Sequence, residues 1–577
     1  VLGGGSGANT LDASSFTTGP VTLVTNGGQD TLLGTPLVDT YTIDVSSLTT
    51  GQKVDVDTGD TVAQDTVEIL GAGTIDQSDL AWVNYLGTDD GKTVFEKKGR
   101  NEVLEVDGDI FAPGKNLSFL SSHRITVDGK FINTSTQGQA GSIEFLARHI
   151  DISNGSAILA EDTAGGGLNG EIKIQAIDDR ARFTGGVLDN TGRIVNDEFS
   201  LLGFANVDFL DVDIDITDAT IRGGDIDIVA TASSQQLLKT SDFGNVPYLS
   251  YLTAVGAGGI VGAIDGFSAA LGLAVAQSNA RVNIGTDGTG QSVIVADSLD
   301  VLSNADTGVY ARPPSKFAAL AVGVSLNTAR IDVGDAYIMT AEDALFQSSS
   351  DAKLNVLADI TAGEIIAIAV ATTVQVTDVA SHIGEEAVLI VGGDLLAAGH
   401  TTDRNRTHAR ADGGAEGSSG MAFAVSVQHG TTEAWLDGDA NVAGDISVQA
   451  MQKSEDVEAQ KSLLFPSVFP GVSATANLGS RSSGDALEDL SSGIKSPIMG
   501  PIGKAGSALW AKVFDSGANS TTLKRNPVEW GASIAVLYDE NHVDARVGTD
   551  STTTDDRADI EADGDITVAA TVSNRPD

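Results

Sequence analysis

The chain contains no cysteine. That excludes a disulfide framework, a thiolate zinc site and a catalytic thiol. Basic residues are scarce: 34 lysines and arginines face 79 acids, a net charge of −45. Phosphate backbones need a basic surface, so nucleic acid is excluded as a partner, and anionic membranes are disfavoured. Aromatics are only 5% of residues, few for a groove that stacks sugars on rings. A long apolar run is missing too. The least polar stretch, 254–276, holds Asp265 and six glycines. It has the length of a membrane span but the pattern of a buried small-residue strand, so no span is expected. Val1 is not followed by a basic and then an apolar region, so no signal peptide is visible. The chain reads as processed or as a piece of a longer one.

What is present is alternation. Of 577 residues, 41% are hydrophobic, and they alternate with polar ones as half-buried strands do. Val54–Asp57 and Val212–Ile216 point apolar side chains one way and carboxylates the other. Short strands recur at Leu117, Ile143, Ile172 and Ile226, spaced 26, 29 and 54 residues. A second set, Ile125 and Ile150, keeps the same interval. Fixed return of a strand between Gly/Asn/Asp turns marks a coil stacked on itself.

From about residue 260 a longer repeat sets in. Its core alternates large and small residues: Leu271–Val275, Leu320–Val324, Ile366–Val370, Phe423–Val427 and Ile534–Val536. Glycines close the following strand at 285, 334, 384, 438 and 548, so one interval of 110 breaks a spacing of 49–54. A missing or disguised copy is expected there, with 472–478 as its remnant. A 50-residue unit reads as two turns of a β-helix. At ~4.8 Å per rung, about 18 rungs beyond residue 100 predict a rod of roughly 85 Å. The bulky face is expected inside the coil. The Ala/Gly/Ser face then admits a close second layer, either of this chain or of another molecule.

Some residues carry possible chemistry. Asp211, Asp213 and Asp215 share a strand face, where like charges in register invite a divalent ion or form a solvated face. Asp225 and Asp227 are expected beside them. Arg404, Arg406, His408 and Arg410 alternate on another strand. They suit an acidic neighbour subunit, an anionic glycan, or acids of adjacent rungs. Residues 456–531 break the rhythm with five prolines and two short helical patterns, 485–490 and 507–514. They read as an insertion whose Trp510 and Phe514 meet a partner or pack on the coil. Enzyme signatures fail. The seven histidines are scattered without HExxH, no GxSxG occurs, and Gly503-Lys504 is followed by Ala505 where a phosphate loop needs Ser or Thr.

The opening GGSGANTLDASS (Gly4–Ser15) resembles the calcium-binding nonapeptides of secreted RTX proteins, with Asn9 where that family has Asp; Gly27–Leu32 is a shorter echo. The resemblance implies calcium near Asn9, Asp12 or Asp30. Rungs such as GSIEFLARHIDISNGSAILAED (141–162) and the 50-residue units from Phe267 resemble filamentous-haemagglutinin-like adhesins, giant surface proteins of Gram-negative bacteria. That resemblance implies export, adhesion or matrix building, and no catalysis. The fold expected is all-β: a right-handed parallel β-helix (β-solenoid) with a mixed loop/helical insertion. Its parts are an RTX-like segment (1–100), ~25-residue rungs (101–232), ~50-residue repeats (233–455), the insertion (456–531) and a final repeat (532–577). The expected role is an extracellular structural or adhesive protein that binds copies of itself, head-to-tail or laterally, or glycans of a host or matrix. The alternative is a polysaccharide-active β-helix lyase or hydrolase.

Overall fold

The structure is a computed structural model. It describes residues 1–48, 52–57, 65–70, 74–85, 92–97, 102–165, 169–179, 199–201, 205–238, 269–286, 290–311, 314–315, 318–363, 366–413, 419–455, 472–477, 531–548 and 558–573. The chain is a right-handed parallel β-helix. Among the described residues, sheet 1 has 16 strands and runs from Leu2–Gly3 to Ile566–Ser573. Among the same residues, sheet 2 has 11, ending with Gly531–Val547, sheet 3 has nine, from Ile110–Phe111 to Ile560–Ala562, and a four-stranded sheet, Thr10–Asp12 to Val83–Tyr85, forms the second side of the first coils. No α-helix occurs among the described residues.

Each rung repeats the register of the one below. Leu117, Ile143, Ile172 and Ile226 are direct neighbours in sheet 1, and Ile125 pairs with Ile150 in sheet 2. Identical positions therefore stack into columns. One column places Phe95, Phe119 and Phe145 in parallel stacks with ring centroids 5.4 and 5.0 Å apart, all fully buried. Such rows keep large side chains packed on both sides along the axis.

The corner before sheet 1 repeats a Gly-Asp pair, Gly393-Asp394, Gly444-Asp445 and Gly564-Asp565. Asp343, Asp394 and Asp445 each accept, through Oδ1, the backbone N–H of the aspartate one rung up: Asp394, Asp445 and Asp565, all at 2.8 Å. The preceding glycine makes room. A Cβ on Gly444 would lie 2.1 Å from Asp394 Oδ1, and one on Gly564 2.0 Å from Asp445 Oδ1. The aspartate clips two rungs, and the glycine lets the clip pass.

The long repeats differ from expectation in three ways. First, a 50-residue unit is one rung, not two: Leu271 pairs directly with Leu320, and Leu320 with Val370. Strands of 14 to 20 residues, such as Ala344–Gly363, fill the extra length. Nine rungs of sheet 3 span about 40 Å at ~4.8 Å each, so the body is shorter and broader than an 85 Å rod. Second, no copy is missing. Phe423 pairs with Ile534, so the interval of 110 is one rung lengthened by residues between its strands. The expected remnant, Val472–Asn477, pairs with Thr407–Asp412 in sheet 1, not in the sheet of the repeat cores. Third, the small face points inward. Ala274, Ala276, Ala319, Ala321, Ala367, Ala369, Ala422 and Ala424 are buried against Val309, Leu354, Val356 and Ile360 of sheet 1. Beyond the three-sided core, sheets 1 and 2 continue as a two-layer fin. The reason is volume: a Cβ on Gly323 would lie 2.4 Å from Val356 Cγ2. Sheet 1 supplies the bulk, so sheet 2 has to be small. The second layer that approaches closely is the chain's own sheet. The insertion 456–531, apart from Val472–Asn477 and Gly531, lies outside the described residues.

Candidate interaction surface

Turning the small residues inward turns the large ones out. On the outer face of sheet 2, Leu320, Val370, Phe423 and Ile534 form one column. Leu273, Val322, Thr372, Val425 and Val536 form the next, and Val275, Val324, Val374, Val427 and Tyr538 a third. These side chains are half-buried by their neighbours; Leu320 is 40% exposed and Tyr538 50%. No charged residue interrupts the three columns. Soluble proteins seldom leave so continuous an apolar sheet face uncovered without using it.

The other face of the fin is charged. Arg404, Arg406, His408 and Arg410 all point outward from sheet 1, as their alternation predicts. Arg404 Nη1 donates to Asp351 Oδ1 and Oδ2 at 2.5 and 2.6 Å, across one rung, so an acid of the same chain meets it. Toward the coil, sheet 2 carries a stack that sequence reading missed. The His382 ring lies on Trp435 with centroids 3.8 Å apart, and the Arg546 guanidinium covers the other face at 3.8 Å. Asp332 and Glu433 flank His382, and Asp544 accepts from the indole at 3.2 Å. Burial works against ionisation of Asp332, yet bonds from His382 and Arg330 hold its carboxyl below the usual value. With both faces of the indole covered, the tryptophan braces rungs and offers no sugar platform. The signal was its spacing: His382 and Trp435 are 53 residues apart, one long repeat.

No protein-family model, curated protein or solved structure matches this chain.

The acidic candidates separate. Asp213 bonds His149, and Asp215 accepts from Asn283 Nδ2 at 2.6 Å; Asp211 is exposed. Burial raises the Asp215 carboxyl, with Asp213 and Asp151 adding to the effect. Asp225 and Asp227 lie in sheet 1, not beside these three. Among the described residues, no three His, Asp or Glu side chains form a metal-sized group.

The N-terminal turn is organised differently. Leu11 pairs with Leu32, one rung of 21 residues. Asp30, 1% exposed, accepts through Oδ1 from the Asn9 backbone N–H at 2.8 Å and from Asn9 Nδ2 at 3.0 Å. The same amide nitrogen donates to the carbonyls of Gly5 and Gly7. Asp30 Oδ2 is buried without a partner. Asp12 does not join them. It closes a turn onto Ser14, whose hydroxyl and N–H hold its carboxyl below the usual range. Trp510 and Phe514 lie outside the described residues. No described helix is long and apolar enough to cross a membrane.

Proposed function

We propose that the chain is a structural segment of an extracellular bacterial surface protein, of the kind its rungs resemble, and that copies associate side by side. The apolar outer face of sheet 2 carries this reading. Five strands at ~4.8 Å and three outward positions at ~6.7 Å cover roughly 500 Å² per copy. Two copies face to face would bury about 1,000 Å², the lower bound of a specific interface. Pairing is therefore weak for two copies and gains strength when many are arrayed. The face is uncharged, so chains of net charge −45 meet there without opposing like charges. The scarcity of aromatics supports a structural role over polysaccharide chemistry.

Calcium belongs to the same proposal at the N-terminal turn. The oxygens of Gly5, Gly7 and Asp30 converge on the Asn9 amide, and the unpartnered Asp30 Oδ2 is a hard donor suited to that ion. Sedimentation velocity and electron microscopy over a range of concentration and salt test the main reading. Lateral pairs should increase with concentration and with salt, which screens the acidic surface. Monodisperse single particles under every condition would overturn it.

A further inference from the structure

Where the fin joins the three-sided core, the interior is polar. Thr307 meets Ser325 at 2.5 Å, Asn327 donates to Ser350 at 2.7 Å, and Thr401 meets Thr432 at 2.8 Å. Each bond links sheet 1 to sheet 2, forming a seam between two apolar clusters. At its upper end the seam holds Asp403, 4% exposed. Two amides from different strands bracket its carboxylate: Gln375 Nε2 on Oδ1, and Gln452 Nε2 on Oδ2 at 2.9 Å. Gln452 also donates to Asn541 Oδ1 at 2.7 Å, and Asn541 Nδ2 donates to Asp539 at 2.8 Å. Gly430 leaves the room, since a Cβ there would lie 2.4 Å from Gln452 Nε2.

Two facts make this cluster unusual. Gln375 and Gln452 are 1% and 0% exposed, yet the Oε1 of each has no partner. At the two amides all the spare capacity is acceptor capacity; the Thr377 hydroxyl, also buried without a partner, can donate or accept. The inward-facing charges are also of one sign. Sheet 1 offers Ser350, Thr401, Asp403, Gln452 and Ser454, and sheet 2 offers Gln375, Thr377, Gln428, Gly430, Asp539 and Asn541. No Lys, Arg or His faces Asp403 from these described strands; Arg404 and Lys453 alternate to the outside. A buried carboxylate with no basic partner and surplus amide oxygens lacks a positive charge.

We propose that the junction is a cation site, with Asp403 and Asp539 as charged ligands and the amide oxygens of Gln375 and Gln452 as neutral ones. Hard oxygens of this mixture suit calcium. Asp539 lies in the strand next to that of Gln428 and Gly430, in the column of Gln375, and so meets the junction from the adjacent rung. The site owes nothing to the N-terminal turn, which lies at the other end of the coil.

Calcium chloride alone is the probe, added to the full chain, with hydrogen exchange followed by peptide. Calcium should slow exchange in 366–383, 395–413 and 446–455. Asp403→Asn, which keeps the side-chain shape, should weaken that response about tenfold or more. Asp539→Asn, in the adjacent rung of sheet 2, should do the same. Asp30→Asn should leave this response intact and remove any in residues 4–33. Unchanged exchange in the three strands would overturn the site, with the two oxygens then met by water. An equal response to sodium or potassium, or an undiminished one in Asp403→Asn, would overturn it as well.

Discussion

Val374 and Val425 sit near the middle of the apolar face, on adjacent strands and in neighbouring columns. Both point outward and are half-buried. Changing both to aspartate leaves the coil interior untouched. Each substitution costs the fold up to ~1 kcal/mol of strand preference. Its effect on association is larger. A carboxylate enclosed between two apolar sheets without a partner costs several kcal/mol in a dry interface, and about 2 kcal/mol where water reaches it. Two such charges on each copy put four in a paired interface and weaken pairing by roughly 8 kcal/mol, and ~1.4 kcal/mol is tenfold in affinity. Sedimentation equilibrium should therefore show a loss of roughly a hundred-thousandfold or more, so that no pairs are detected. The control is Val374→Thr with Val425→Thr, which keeps shape and adds no charge; it should lose far less. If the aspartate variant associates as the parent does while its circular dichroism is unchanged, this face is not the contact and the reasoning fails.

Three further outcomes follow from the interior. Phe119→Ala removes the central ring of a fully buried stack and should cost about 3–5 kcal/mol, seen as faster exchange in 92–97 and 143–147; a change below ~1 kcal/mol would refute column packing. Gly444→Ala drives a Cβ into Asp394 and the Gly393 carbonyl and should cost about 1–3 kcal/mol, whereas a neutral result would show that the corner has slack. Burial raises the Asp403 carboxyl from 3.8 to about 6. Between about pH 4 and pH 6 the folded chain then holds a proton that the unfolded chain has released, so without calcium this group makes stability fall as pH rises through that window and adds no slope above it. Urea titrations should show that slope in the parent and not in Asp403→Asn; equal slopes would assign it to other groups.

The repeat spacing by itself determined that this protein is a stacked parallel coil. Leu117, Ile143, Ile172 and Ile226 return at intervals that strand stacking uses directly. Leu11 and Leu32 likewise form one rung of the first coils. The shared outer face of Arg404 to Arg410 was legible from the same alternation, which also places Asp403 inward, although that consequence is easy to pass over beside four basic residues. What alternation leaves undecided is which face is inside when one is bulky and the other small, since neither is polar. That depends on the opposing layer. Val309, Leu354 and Val356 fill the space between sheets 1 and 2, so only Ala, Gly and Ser fit across from them, and Leu320, Val374 and Phe423 turn outward. The tertiary structure thus made an outward apolar face of residues that read as core. It also joined Asp403, Gln375, Gln452 and Asp539, which are far apart in the chain, because only the stacking of rungs brings their strands together.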